Sequence, residues 1–196
     1  MLEIRSEKNR LRKKYNDIRQ NIREDEKSEL DSRICSRILS LVSYRFADTV
    51  LLYSPIKSEI DITPIAVAAL KAGKRVAFPK CTPEGSLMDF HYVSSLDELT
   101  PGYYSILEPS ADAPVFDKRK AHTKESCLCL IPALIYDQNG YRVGYGKGYY
   151  DRYLQDFNGT KAGIIYDRLI AESVPHGRFD LKVDFTVSEK GVNIIK

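Results

Sequence analysis

The sequence has no tryptophan, only four cysteines and three histidines, and no long apolar run. Cys127 and Cys129 form a C-x-C spacing inside an apolar segment, which is typical of neither a zinc site nor a redox motif. We therefore expect reduced thiols that pack as small apolar groups in a cytoplasmic protein. No segment approaches the roughly 20 apolar residues of a membrane span. The N-terminus is charged from its third residue, unlike a secretory signal, so we expect no membrane association.

Charge is balanced over the whole chain but not at its start. The net charge of +3 is too small to indicate a nucleic-acid partner by itself. Residues 4–23, however, contain eight Lys or Arg against two acids, so the rest of the chain is slightly acidic. This local excess favours an anionic ligand near the N-terminus.

The basic segment predicts an amphipathic helix over residues 6–22. Its apolar stripe consists of Leu11, Tyr15, Ile18 and Ile22. At about 100° per residue, Lys8, Arg12 and Arg19 fall together along one edge of that stripe. Cations at such an edge either form a solvated face or lay their stems on the core and hold their charges over a neighbouring cleft. The spacing alone leaves both interpretations open.

The remainder of the chain alternates short apolar runs with helical patterns. Further helices are predicted over 26–43, 64–72 and 149–157, and residues 100–126 read as a long surface excursion. Strands are predicted over 49–53, 75–79, 88–93, 126–136, 161–166 and 185–187. This order predicts an α/β fold, with an open, mostly parallel sheet and helices on both faces (three-layer α/β/α, Rossmann-like). We expect one domain over 1–196, with the helical pair 6–43 packed on the α/β core.

A glycine-rich segment follows the strongest central-strand candidate, 126–136, in which Pro132 is expected to end the ladder or to lie at its mouth. Residues 137–152 read DQNGYRVGYGKGYYDR, and their four glycines are Gly140, Gly144, Gly146 and Gly148. Ligands of open α/β sheets bind beyond the carboxyl ends of strands. Glycines permit positive φ and close backbone approach, and the N-terminus of the following helix favours anions.

The side chains of the same segment add charge to this backbone. Lys147 and Arg142 supply the full positive charges that a polyphosphate needs. Tyr149 and Tyr150 are interpreted either as ligand contacts or as core anchors. Asp151 is interpreted either as a hard-metal ligand or as an i, i+4 partner of Lys147. Because neither GxxxxGK[ST] nor the dinucleotide fingerprint is present, the residues alone indicate an anion-binding loop, with a plain glycine-rich turn as the alternative.

The whole string NGYRVGYGKGYYDRYL resembles the signature of the 5-formyltetrahydrofolate cyclo-ligase family, also called methenyltetrahydrofolate synthetases. That signature reads G-x-R-aliphatic-G-x-G-x-G-Y-Y-D. Three more matches occur in the family's order along the chain: K-x-x-L-R at 8–12, a post-strand segment at 53–61 that ends in Glu-aliphatic-Asp, and a closing Pro…Asp…Val-Asp…Val-x-Glu run at 175–189.

The resemblance implies an ATP-dependent ligase of one-carbon metabolism. Such an enzyme converts 5-formyltetrahydrofolate, possibly polyglutamated, to 5,10-methenyltetrahydrofolate, with release of ADP and phosphate. The formyl oxygen takes the γ-phosphoryl group, and N10 then attacks the activated carbon. The resemblance also implies Mg²⁺, a cytoplasmic monomer, and neither a membrane nor a nucleic-acid partner.

Site residues are carried over position by position. Lys147 and Arg142 are implied to be catalytic, and Asp151 and Asp180 are implied to hold the metal. The implied ATP site comprises Lys8, Arg12, Arg142, Val143, Gly144, Tyr145, Gly146, Lys147, Gly148, Tyr149 and Tyr150.

The folate side of the implied site is smaller. Glu59 resembles the acid that binds the pterin in this family. The residue type is suitable, because a carboxylate accepts two parallel hydrogen bonds from a ring N–H and an exocyclic amine. Ser54 and Tyr145 lie at substrate-contact positions. Two positions depart from the pattern: Val143 stands where Leu is common, and Tyr145 stands where some members carry an Arg that contacts folate. The role of Tyr145 is therefore open, and the resemblance assigns no role to any of the three histidines.

Two other functions compete with this one. A nucleic-acid-binding module would use the basic N-terminal helix, but it would need a larger basic excess or stacking aromatics. A sugar-phosphate or acyl-transfer enzyme would use a similar sheet and would need neither ATP nor Mg²⁺.

Overall fold

The computed structural model describes residues 2–82, 84, 87–102, 105–119 and 126–195. Its helices are α1 (Leu2–Gln20), α2 (Glu24–Ser40), α3 (Val42–Arg45), α4 (Thr63–Lys71) and α5 (Tyr149–Tyr153). The first strands are β1 (Thr49–Leu51), β2 (Arg75–Thr82), β3 (Leu87–Val93), β4 (Thr100–Pro101), β5 (Leu107–Glu108) and β6 (Cys127–Pro132). The later strands are β7 (Ile135–Asp137), β8 (Arg142–Val143), β9 (Thr160–Ile164), β10 (Ile170–Ala171), β11 (Phe185–Val187) and β12 (Val192–Ile194).

Seven of these strands form one sheet in the order β12-β11-β9-β6-β1-β2-β3. The five inner strands pair in parallel, and the edge strands β3 and β12 pair antiparallel. From β1 the chain moves outward to β2, and from β6 it moves the other way to β9. Because such crossovers are right-handed, α4 and α5 belong to opposite faces of the sheet. The predicted α/β fold with a mostly parallel sheet is confirmed.

The strand order reverses between β1 and β6, which are hydrogen-bonded neighbours. The chain leaves their carboxyl ends through the segments 52–62 and 133–148, which then run in opposite directions. In open α/β sheets a crevice forms at such a point and binds the ligand. The residues singled out after two separate strands, Glu59 and the glycine segment, therefore lie beside the same crevice.

The strand predicted over 126–136 is in fact two strands in two sheets. β6 ends at Pro132, which has no N–H to continue the ladder. The chain then forms the hairpin β7–β8, which with β10 makes a separate three-stranded sheet. The Asp137 carboxylate closes the hairpin turn by accepting the N–H groups of Asn139 and Tyr141, both at 2.9 Å. Part of the glycine-rich segment is thus a rigid hairpin.

Apolar burial explains how the N-terminal helices attach. The α2 stripe buries Leu30, Ile34 and Ile38, and the last two are fully inaccessible. The second predicted helix, 26–43, is broken at Leu41, whose extended ψ of 140° separates α2 from α3. In the part of the chain that the structure describes, no helix is both long and apolar enough to cross a bilayer.

The surface excursion at 100–126 contains the short hairpin β4–β5. Residues 103–104 and 120–125, including His122, lie outside the described residues.

Candidate active site

The charged edge of α1 faces the crevice. The Lys8 amine lies 2.6 Å from Asp180 Oδ1, and the Arg12 guanidinium donates to the Gly144 carbonyl at 2.8 Å. These side chains are half-buried, whereas Lys13 and Lys14 are exposed. The solvated-face interpretation is therefore wrong for Lys8 and Arg12, because long-range partners draw both heads toward the sheet edge.

Backbone conformation in the glycine segment has a clear physical cause at two positions. Gly146 has φ +96°, and a Cβ there would lie 3.1 Å from Arg12 Cζ, so its lack of a side chain admits the guanidinium. Gly148 has φ +71° and is the N-cap of α5. Gly144, in contrast, does not have a positive φ and has open space around its Cβ position. The expectation of positive φ thus holds for Gly140, Gly146 and Gly148 but not for Gly144.

Arg142 lies inside the protein. Its guanidinium contacts Asp151 Oδ1 at 2.5 Å and the Leu181 carbonyl at 3.1 Å, and its side chain is 5% exposed. Asp151 therefore pairs with Arg142 and does not form the i, i+4 pair with Lys147. Lys147 precedes the N-cap of α5, so it is not on that helix, and its side chain is exposed.

The two carboxylates predicted to hold metal each have a cationic partner. Asp180 accepts from Lys8 at Oδ1 and from the Gly177 N–H at Oδ2, at 2.6 Å in both cases. Arg142 connects the two acids, since it binds Asp151 and the carbonyl of the residue after Asp180. Over the described residues there is no group of three or more His, Cys, Asp or Glu side chains that could cage a metal. Two carboxylates do fit the way proteins hold Mg²⁺, with one or two acids and the rest of the shell from phosphates and water.

Glu59 lies on the other side of the crevice, in the segment after β1, and is 5% exposed. Its Oε2 accepts the Ile56 N–H at 3.0 Å, which closes a tight turn around the acid. Burial raises the pKa of the Glu59 carboxyl. The hydrogen bond from Ile56, the charge of Arg19 and the hydroxyl of Tyr145 oppose that rise.

Arg19 is the third cation of the α1 edge and is 3% exposed. It donates to the Ser58 hydroxyl at 3.1 Å, to the Ala133 carbonyl at 3.4 Å and to the Tyr145 hydroxyl. Arg19 and Glu59 both line one small pocket. Sequence reasoning placed Arg19 beside Lys8 and Arg12 but assigned it no role, although its position on the same edge was the available signal.

A small pocket opens between these groups. Its walls come from the carboxyl ends of three parallel strands: Tyr53 and Glu59 after β1, Ala133 after β6 and Ile165 after β9. Arg19 lies at its edge. The arrangement places a buried acid and a small pocket next to a cationic, glycine-lined wall, so hydrogen-bond acceptors and positive charge face the same crevice.

Comparison with known proteins decides between the competing interpretations. A family model described as the 5-formyltetrahydrofolate cyclo-ligase family matches residues 4–189. The chain belongs to this family. The solved structure of a 5,10-methenyltetrahydrofolate synthetase from Aquifex aeolicus superposes with a TM-score of 0.84 at 34% identity, covering 96% of this chain and 93% of that one.

Two further relatives are more distant in sequence. The solved 5,10-methenyltetrahydrofolate synthetase from Mycoplasma pneumoniae has a TM-score of 0.73 at 26% identity, over 93% of this chain and 98% of its own. A probable 5-formyltetrahydrofolate cyclo-ligase from Schizosaccharomyces pombe is 27% identical over 81% of this chain and 83% of its own length. The similarity thus covers nearly the whole chain.

Several residues carried over from the cyclo-ligase family have structural partners of their own. The Ser54 hydroxyl donates to the Leu107 carbonyl at 2.5 Å, which fastens the β4–β5 hairpin over the segment after β1. Val143 is 1% exposed and belongs to a small apolar cluster beside α1. Tyr149 and Tyr150 both pack against the main core, and among the described residues the buried Tyr150 hydroxyl has no hydrogen-bond partner.

The two described histidines have structural contacts outside this arrangement. His91 Nδ1 lies 2.8 Å from the Ala113 carbonyl, and His176 stacks on Tyr141 with ring centroids 3.7 Å apart.

Proposed function

We propose that this chain catalyses the ATP-dependent cyclisation of 5-formyltetrahydrofolate to 5,10-methenyltetrahydrofolate, with release of ADP and phosphate. The observation that carries the proposal is the meeting of two chemically different walls where the strand order reverses. One wall carries Lys8, Arg12 and the glycine segment, and the other carries the buried acid Glu59. Family membership supports the same reaction.

The phosphate wall would bind ATP. Lys8 and Arg12 are held at the crevice by Asp180 and Gly144, so they are positioned before the nucleotide arrives. Lys147 is exposed at the start of α5, where its flexible amine can follow the transferring phosphoryl group. The buried Arg142 acts mainly by fixing the loop, through Asp151 and the Leu181 carbonyl.

Asp151 and Asp180 would hold Mg²⁺ together with phosphate oxygens and water. Bound there, the ion would neutralise charge on the phosphates. Lys8 and Arg142 already neutralise the two carboxylates, so the acids stay ordered without the ion.

The folate wall would bind the pterin through Glu59. A carboxylate has about four lone-pair sites, and the Ile56 N–H takes one of them. Enough acceptor capacity remains for a ring N–H and an exocyclic amine side by side. Ser54 and Tyr145 would complete the contacts around the substrate.

The protein's contribution to the chemistry is alignment and charge. The formyl oxygen is a poor leaving group until the γ-phosphoryl group has been transferred to it. N10 then attacks the formyl carbon, the ring closes, and the oxygen departs with the phosphate. Binding the formyl oxygen in line with the γ-phosphorus replaces a bimolecular encounter by a positioned one, and Lys147 stabilises the equatorial oxygens during transfer.

The reaction can be followed directly by the near-ultraviolet band of the methenyl product. Folded protein, MgATP and 5-formyltetrahydrofolate should produce this band, and samples without ATP should not. Absence of product at saturating substrates would contradict the proposal. Product formed equally well without ATP would contradict the phosphoryl-transfer step.

A further inference from the structure

Arg19 is a buried cation on the edge of α1. Across residues 2–82, 84, 87–102, 105–119 and 126–195, no carboxylate forms an ion pair with it. Its three hydrogen bonds go to neutral acceptors: the Ser58 hydroxyl, the Ala133 carbonyl and the Tyr145 oxygen. A buried charge is costly unless an opposite charge lies within reach. Glu59 is the acid whose ionisation Arg19 favours.

The direction of the hydrogen bonds around Tyr145 follows from donor counting. A guanidinium group only donates, so the Tyr145 oxygen accepts from Arg19 and must send its single proton elsewhere. The Tyr145 hydroxyl favours the ionised form of the buried Glu59 carboxyl, which makes this carboxylate the candidate acceptor of that proton. Burial and the neighbouring Glu59 raise the pKa of the Tyr145 hydroxyl, so it keeps this proton. The chain of donation therefore runs from Arg19 to Tyr145 to Glu59.

This relay leaves Glu59 with capacity for a ligand. Of the about four lone-pair sites on a carboxylate, the Ile56 N–H uses one and the donation inferred from Tyr145 would use a second. Two acceptor sites remain, which equals the number that a pterin edge needs. The relay works only while Glu59 accepts, and the connected bonds strengthen one another in a buried site.

We propose that Arg19 is a positioning residue of the folate site, which fixes the Tyr145 hydroxyl as a donor to Glu59 and so holds this carboxylate as the acceptor for the pterin. The inference rests on the proposed function, because it takes Glu59 as the pterin ligand. It also gives Tyr145 a role at a position where some family members have an arginine.

Other groups facing Glu59 do not provide the same effect. They are Tyr145 from the glycine segment, Tyr53 from the end of β1 and Tyr150 from α5, and none of them is charged at neutral pH. The Tyr53 hydroxyl already donates to the Ile60 carbonyl at 2.9 Å. Arg19 is thus the cation that opposes the burial of Glu59.

The test compares Arg19→Met with Arg10→Met on the same helix, where Arg10 is exposed and pairs only with Glu7. The Glu59 carboxyl is titrated by ¹³C NMR, with Glu59→Gln used for assignment. Affinity for 5-formyltetrahydrofolate is measured against pH without ATP. Because the charge of Arg19 favours the ionised form of Glu59, its loss in Arg19→Met should move the Glu59 titration to higher pH. The loss of folate affinity on acidification should move to higher pH with it. Folate affinity should fall roughly tenfold, because a buried hydrogen-bond network to a charged group is lost. Arg10→Met should behave as the wild type.

Tyr145→Phe provides the second arm, since it removes the relay hydroxyl while leaving the Arg19 site in the core intact. It should shift the same titration in the same direction, and the double variant should be no worse than Arg19→Met alone because both act through one chain of bonds. Arg19→Lys keeps the positive charge, so its Glu59 titration should lie between those of Arg19→Met and the wild type. The KM for ATP should stay unchanged in the Arg19 variants.

Three results would overturn the role of Arg19. One is a Glu59 titration that is unchanged in variants that merely melt earlier, which indicates a structural role only. Another is a raised KM for ATP with normal folate binding, which indicates a phosphate ligand. A third is additive losses in the double variant. A wild type that binds the folate but forms no product would contradict the proposed reaction and leave the titration test of Arg19 standing.

Discussion

The two walls of the crevice differ in how far they are withdrawn from solvent. On the phosphate wall Lys147 is exposed and the Lys8 side chain is 13% exposed. On the folate wall Glu59 and Arg19 are 5% and 3% exposed. An exposed wall suits a ligand that carries its own charge, whereas a buried wall suits the hydrogen-bonding edges of a neutral ring.

This difference decides how each wall is stabilised. A solvated lysine costs little to keep and needs no fixed partner before the ligand arrives. A buried acid must be satisfied by neighbours, as Glu59 is by the Ile56 N–H. We therefore expect substitutions of exposed side chains on the phosphate wall to affect catalysis with little change in stability, and substitutions of buried groups on either wall to affect stability as well.

The largest expected effect belongs to the exposed wall. Lys147→Ala should lower kcat roughly 10²–10³-fold, as removal of one charge-stabilising group in a transition state does. The melting temperature should hardly change because the side chain is exposed. Steady-state kinetics and thermal unfolding measure the two effects.

Lys13→Ala is the matched control, since Lys13 is exposed on the outward face of α1. It should retain wild-type kinetics. A similar loss of turnover in both variants would indicate a general effect of positive charge and would remove the special role of Lys147.

Next in size is the effect of removing the partner of the buried Arg142. Asp151→Asn should lower the free energy of unfolding by about 2 kcal/mol, because it leaves a guanidinium only 5% exposed without its carboxylate. Asp180→Asn should cost less, since Lys8 is the more exposed cation. Chemical denaturation compares the two.

Both variants should also need more Mg²⁺ for half-maximal turnover. An unchanged Mg²⁺ dependence in both would contradict their assignment as metal carboxylates. If Asp180→Asn lost more stability than Asp151→Asn, the ranking based on the deeper burial of Arg142 than of Lys8 would be wrong.

A smaller effect is expected for Glu59→Gln on the buried wall. The KM for the folate should rise roughly tenfold, since an amide offers one acceptor oxygen where the carboxylate offers two. A raised folded-state pKa means that folding favours the protonated acid, so the wild type loses stability relative to Glu59→Gln as pH rises from the ordinary carboxyl range into neutrality. Kinetics and pH-dependent unfolding check the two statements.

Acid should also weaken folate binding by the wild type, starting at a higher pH than for an ordinary glutamate, while Glu59→Gln should show no such limb. If Glu59→Gln raised only the KM for ATP, the assignment of Glu59 to folate binding would be wrong.

The smallest effect concerns the backbone of the phosphate wall. Gly146→Ala should cost about 1–2 kcal/mol of stability at φ +96° and also displace Arg12, which raises the KM for ATP. Gly73→Ala is the control for backbone strain without a steric contact, since φ is +72° there and nothing lies near its Cβ position. Equal stability losses with unchanged ATP kinetics in both variants would show that Arg12 does not depend on the gap at Gly146.

Local patterns in the sequence predicted much of this. Helical periodicity placed Lys8, Arg12 and Arg19 on one edge of α1, because the period of a helix is a local property. Alternation of apolar runs with helices predicted the sheet, and the glycine segment was found at the end of its central strand. The role of Arg19 was missed because its partners are 39 to 126 residues away in the chain.

Two other features differ in how much of them the sequence indicated. The break in the strand predicted over 126–136 had a signal in the Asn139-Gly140 dipeptide, which favours a hairpin, and in Pro132. The pairing of Asp151 with Arg142 had none, since the helical spacing favoured Lys147 instead.

The sequence by itself determined the element types, the anion-binding character of the glycine segment and, through its four ordered matches, the family. These depend on residue type and spacing along one stretch of chain. The tertiary structure alone decided which side chains meet: Lys8 with Asp180, Arg142 with Asp151, and Arg19 with Tyr145. Such pairings follow from strand order and burial, since only packing brings distant side chains close and makes an unsatisfied charge costly.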